Sequence, residues 1–140
     1  MFVDASAIVA ILKGEPEAGG FLAALDAAEG KVICSPLARF EAVISLAVSM
    51  ARAQGEAMSV GDHAAAEELV DELLKEAGSR EVQITEGIGR EARAAAATYG
   101  KVAGHAAALN MGDCFAYACA KAYHVRLLYK GDDFARTDLA

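Results

Sequence analysis

Four acidic residues stand where a carboxylate can do more than solvate a surface: Asp4, Glu41, Asp113 and Asp133. Asp4 lies between the apolar start Met1-Phe2-Val3 and Ala7-Ile8-Val9, where burial is costly unless the carboxylate is paired, hydrogen-bonded or bound to a cation. Glu41 comes one helical turn beyond Leu37 and just before Val43-Ile44, where an apolar helix face begins. Asp113 falls three positions after Asn110 in the first turn of an expected helix; helix amides stabilise a negative charge there, and simple capping is the plainer alternative. Asp133 shares a polar turn with Asp132, and one of the pair can face a cleft while the other meets solvent. Three or four carboxylates from different elements make an oxygen-rich set suited to Mg²⁺ or Mn²⁺ and poorly suited to a soft metal. Such ions activate water and stabilise charge on the attacking and leaving oxygens of a phosphodiester.

Other catalytic schemes fit less well. His63, His105 and His124 have no close ligand spacing, and Ser6 and Ser35 lack a motif that would assign them a histidine base. Cys34, Cys114 and Cys119 form neither an even disulfide set nor a close-paired metal motif, so they read as buried, reduced thiols. Twenty acidic residues against thirteen basic ones give a formal charge of −7, opposite to the usual footprint of a nucleic-acid binder. Divalent cations held by clustered carboxylates reverse the local field that an approaching phosphate meets, which weakens that objection.

The elements that must position these acids are short strands separated by helices. A very short strand ends at Asp4 and a helix over 5–12 follows, with Ser6 as its expected cap. A second helix is expected over 15–28 with Phe21, Leu22 and Leu25 on its buried side, then a short buried strand over 31–34. Ser35-Pro36 is the clearest boundary signal, serine capping and proline at the first helical position, with Leu37, Phe40, Ile44, Ala47 and Ala51 as the buried stripe. Residues 62–77 form a charged amphipathic helix, 82–85 alternate as a strand, and 86–100 return to helix. A helix capped by Asn110 and a final strand over 125–129 complete a mainly parallel sheet with helices on both faces, in one domain spanning 1–140. Sites in such folds form beyond the carboxyl ends of strands, which points to Asp4, the Ser35 region and the Asp132-Asp133 turn. The longest apolar runs are too short to cross a bilayer, so the expected location is the cytoplasm.

In this order the four acidic segments resemble the PIN-domain family, especially the VapC-like ribonuclease toxins of bacterial toxin–antitoxin pairs. The opening Met1-Phe2-Val3-Asp4-Ala5-Ser6, the helix after Ser35-Pro36 carrying Glu41, Asn110-Met111-Gly112-Asp113-Cys114-Phe115 and Leu127-Leu128-Tyr129-Lys130-Gly131-Asp132-Asp133-Phe134 carry the likeness. It runs over essentially the whole chain. Many family members have a threonine–arginine–asparagine-like sequence before the last aspartate, whereas Tyr129-Lys130-Gly131 stands here. The last acid is therefore open among Asp132, Asp133 and Asp138, with Asp133 the preferred match.

The resemblance implies a three-layer α/β/α fold and metal-dependent hydrolysis of single-stranded RNA, leaving a 3′-hydroxyl and a 5′-phosphate. It places Asp4, Glu41 and Asp113 on the principal Mg²⁺ or Mn²⁺, with Asp133 orienting a water or helping to hold a second ion. It further implies a homodimer and a VapB-like antitoxin whose basic segment enters the acidic groove, DNA contact belonging to the antitoxin alone. Thr137 could position a water, and Arg39, Arg90 and Arg93 could meet phosphates if folding sets them on the cleft rim. Two rival readings are a non-catalytic module that kept the fold and a response-regulator-like phosphoryl-transfer protein. The second needs a phosphoacceptor aspartate with a matching lysine, which Asp4 and the scattered lysines do not establish.

Overall fold

A computed structural model describes residues 1–139. Four two-residue strands, β1 (Phe2–Val3), β2 (Ile33–Cys34), β3 (Arg80–Glu81) and β4 (Leu127–Leu128), pair in parallel in the order β3-β2-β1-β4. Phe2 lies opposite both Ile33 and Leu127, and Val3 lies opposite Leu128. The helices between them are α1 (Ala5–Leu12), α2 (Ala18–Ala27), α3 (Pro36–Ala53), α4 (Val60–Glu76), α5 (Glu86–Tyr99) and α6 (Met111–Ala122). The chain steps outward from β1 to β3 and then returns to the far side of β1, so right-handed crossovers put the helices of the two halves on opposite faces. The expected α/β fold with a parallel sheet is what forms.

Short strands are enough because both faces are covered. Phe2, Val3, Val32, Ile33 and Cys34 are all buried, as are Ile8 on α1 and Cys119 on α6, in one apolar cluster. The three cysteines are buried and free, as expected. Among the described residues, no helix is long and apolar enough to cross a membrane.

Helix starts follow their capping chemistry. The Ala38 amide donates to Ser35 Oγ at 3.1 Å with Pro36 in the first turn of α3, and the Ile88 amide donates to Thr85 Oγ1 at 3.3 Å on α5.

Three expectations are corrected. The stripe of α3 that enters the core is Ala38, Ala42, Val43, Leu46, Ala47 and Ala51; Leu37 and Ile44 are only partly buried and Phe40 is 60% exposed. The helix carries two apolar stripes, and small residues win the core side because α1 and α4 pack closely on it. Helix α2 starts at Ala18 rather than at 15, after a turn through Pro16, and of its expected core residues only Leu25 is fully buried. The third strand is Arg80–Glu81 rather than 82–85, since the amides of Arg80 and Val82 pair with the carbonyls of Val32 and Cys34. Thr85 is thereby released to cap α5.

Candidate active site

Asp4 leaves β1 at its carboxyl end and, in place of the expected Ser6, is the N-cap of α1; Ser6 lies inside the helix and donates to the Asp4 carboxylate, which is 5% exposed. Its Oδ2 accepts from the Ser6 amide at 2.9 Å and from Ser6 Oγ at 2.5 Å. Burial pushes its carboxyl upward in pKa, opposed by the Ser6 bonds that favour the ionised form. The reversal of strand order about β1 puts this residue at the topological switch point, where open parallel sheets form their clefts.

Asp113 comes from the other half of the fold. It forms a capping box at the start of α6: the Asn110 amide donates to Asp113 Oδ2 at 2.8 Å and the Asp113 amide donates to Asn110 Oδ1 at 3.1 Å. Capping occupies one carboxylate oxygen; among the described residues, the other accepts no hydrogen bond. Capping and a place in the cleft are thus compatible for one side chain. Desolvation raises the Asp113 pKa, the Asn110 bond lowers it, and the charges of Asp4 and Asp133 raise it.

Glu41, half-buried on α3, completes the group. Its pKa is pushed up to about 7, first by desolvation and then by the charges of Asp4 and Asp113. Gly112 permits this placement, since a Cβ there would collide with the Glu41 carboxylate. Asp4, Glu41 and Asp113 line one cavity of about 370 Å³ together with Ser6, Glu15, Ser45, Asn110 and Lys130.

A family model for the PIN domain matches residues 1–139. The chain belongs to the PIN-domain family. Among its relatives are a VapC ribonuclease of Rhizobium meliloti, 48% identical over 99% of this chain and 98% of that one, and Ribonuclease VapC30 of Mycobacterium tuberculosis, 36% identical over 100% and 96%. Ribonuclease VapC28 of the same organism is 37% identical over 98% of this chain and 93% of its own.

Within this PIN domain the remaining candidates separate. Asp133 is exposed at the start of a short 3-10 turn, Phe134–Arg136; its charge reaches Asp113, but it does not line the cavity. Asp132 is exposed as well. Asp138 is engaged on α6, accepting from Tyr117 Oη at 2.6 Å and from Lys121 Nζ at 3.0 Å. Thr137 Oγ1 donates to the Phe134 carbonyl at 2.8 Å and accepts from the Leu139 amide, a purely local role. Arg39 pairs with Asp71 and Glu81, Arg90 pairs with Glu86, and Arg93 lines a neighbouring apolar groove of about 610 Å³ that touches the acidic cavity at Asn110.

Sequence reasoning missed Glu15, Ser45 and Lys130 as cavity residues. Ser45 was findable, four positions after Glu41 and so on the same helix face. Glu15 and Lys130 carried no local signal, being joined across the fold at 2.5 Å.

A hard divalent cation suits this donor set, since Asp4, Glu41 and Asp113 offer only oxygen and each carries a pKa raised by burial and by another acid or by burial alone. Among the described residues, no three His, Cys, Asp or Glu side chains already stand as a ready-made ligand group. Coordination therefore requires side-chain adjustment, and half-buried Glu41 has the longest and freest arm of the three.

Proposed function

We propose that this protein is an endoribonuclease toxin, one PIN domain over 1–140, that hydrolyses RNA phosphodiester bonds with Mg²⁺ or Mn²⁺ held by Asp4, Glu41 and Asp113. The observation that carries this reading is the convergence of these three carboxylates, from three separate elements, on one cavity. The relatives named as VapC ribonucleases support it. The bound cation would activate water and offset charge gathering on the phosphodiester oxygens.

The chain's own groups do the rest. Ser6 fixes one oxygen of Asp4 and leaves the other for the cleft; Asn110 does the same for Asp113. Gly112 leaves room for Glu41 to approach. Asp133 lies outside the cavity lining, but its charge reaches Asp113, and from there it would orient a water or help hold a second ion; cleavage would leave a 3′-hydroxyl and a 5′-phosphate. An acidic cavity is complementary to a basic segment of a VapB-like antitoxin. Two copies pair through the apolar residues that α3 and α4 leave exposed, including Phe40 and Leu69, in the cytoplasm.

Asp4→Asn and Asp113→Asn test the reading because an amide removes charge while nearly keeping shape. Cleavage of a mixed single-stranded RNA pool at limiting Mg²⁺ or Mn²⁺ should fall by more than about a hundredfold, beyond what changes acting only indirectly on a ligand produce. Thermal unfolding of both variants should remain cooperative. Wild-type rates from both would sink the assignment.

A further inference from the structure

The acidic cavity has one cationic side chain among the described residues that line it, Lys130. Its main chain is pinned to the site. The Asp4 amide donates to the Leu128 carbonyl at 3.0 Å, continuing the pairing of β1 with β4. The Lys130 amide then donates to Ser6 Oγ at 3.0 Å, and Ser6 Oγ donates to Asp4 Oδ2. Two hydrogen bonds thus link the Lys130 backbone to the most buried carboxylate of the cavity. Gly131, at φ +99°, turns the chain away immediately afterwards, a conformation that a residue with a Cβ adopts only under strain.

The side chain is held differently. Lys130 Nζ contacts Glu15 Oε2 at 2.5 Å and Glu17 Oε2 at 3.6 Å, on a side chain that is 37% exposed. Glu15 is shared, its other oxygen lying 2.8 Å from Lys13 Nζ. If Lys130 leaves, Lys13 still neutralises Glu15, and a solvent-exposed pair of this kind is screened by water and held only weakly. A lysine ammonium is a point charge on a flexible four-carbon stem, able to exchange one anion for another without moving its backbone. Arg39 on α3 is committed to Asp71 on α4 and Glu81 on β3, and Arg90 to Glu86 of its own helix.

We propose that Lys130 binds a phosphate of the RNA strand flanking the scissile bond, with Glu15 and Glu17 as the resting counter-ions that this phosphate displaces. The inference rests on the ribonuclease reading of the cavity and adds the group that admits a polyanion into it. The acids would hold a cation, but their own charge repels the strand's phosphates, and a lysine anchored in the cavity's lining offsets that repulsion at one fixed place.

The test is cleavage of a short single-stranded RNA across a salt series by wild type, Lys130→Met and Lys130→Arg, with thermal unfolding of each. Lys130→Met should raise KM roughly fivefold to tenfold and leave kcat within about twofold, as for loss of one phosphate contact. Its salt slope for kcat/KM should be shallower by about 0.7, the value of one phosphate on a single strand, and Lys130→Arg should restore the wild-type slope. A lysine that merely braces the Glu15–Glu17 turn would change unfolding and leave the slope untouched, and an unchanged slope overturns the proposal. Should Lys130→Met fail to fold, Lys130→Gln gives the same comparison. Fluorescence anisotropy with the same RNA reads the slope without turnover, so loss of the ribonuclease reading and loss of this contact are told apart.

Discussion

At Glu41, burial and the charges of Asp4 and Asp113 act in the same direction, lifting the folded-state pKa to about 7 from an ordinary 4.5. A carboxyl raised on folding stabilises the folded state fully below its unfolded pKa, and that contribution is lost as pH rises through the folded one. Asp4 and Asp113 are shifted the same way. In metal-free buffer the melting temperature should therefore decline from about pH 4.5 to about pH 7, and Glu41→Gln should flatten much of that decline. Protons compete with a cation for these oxygens, so Mg²⁺ or Mn²⁺ affinity should rise over the same interval and metal binding should release protons. Melting curves and proton-release calorimetry over that range check both; a melting temperature that rises with pH in the wild type would contradict the assigned environment of Glu41.

The first turn of α6 serves two purposes, and Gly112 is where they meet. Alanine suits a helix better than glycine by up to about 1 kcal/mol, so glycine here is not explained by helix formation. Its missing side chain is the space that the Glu41 carboxylate occupies. Because Glu41 is flexible at that end, Gly112→Ala should displace the carboxylate rather than unfold α6. The expected result is a melting temperature within a few degrees of wild type, with metal affinity and RNA cleavage each lowered by roughly tenfold or more. Metal titration followed by calorimetry checks it, and unaltered affinity would show that Glu41 does not need this position.

Across the whole molecule, the second apolar stripe of α3 remains to be covered. Phe40 is 60% exposed and Leu69 on α4 is 40% exposed, while the faces of α3 and α4 rich in alanine and leucine are spent on packing against each other and the core. The proposed homodimer would then use the outward residues rather than those inner faces. Light scattering over a concentration range should give twice the chain mass, and Phe40→Asp should return it to a monomer without loss of fold. A wild-type monomer at high concentration would rule out the pairing.

Local chemistry made much of this protein legible in its sequence. An aspartate closing an apolar start, Ser35-Pro36 and the Asn110-to-Asp113 spacing each act through neighbours within four residues, so Asp4, the start of α3 and the capping box of α6 could be read directly. Competition between equal alternatives could not be read that way. Both stripes of α3 have helical spacing, and the choice between Phe40 and Ala42 fell to the shape of the helices that pack there. Strand position slid in the same manner, because β3 takes its register from β2 and not from the alternation of 82–85. The pairing of Lys130 with Glu15 joins residues 115 positions apart, and only closure of the sheet between β1 and β4 sets them at one cavity. Sequence fixes which side chains have unusual local surroundings; tertiary packing alone decides which of them share a dielectric, and therefore which carboxylates raise one another's pKa and which lysine faces them.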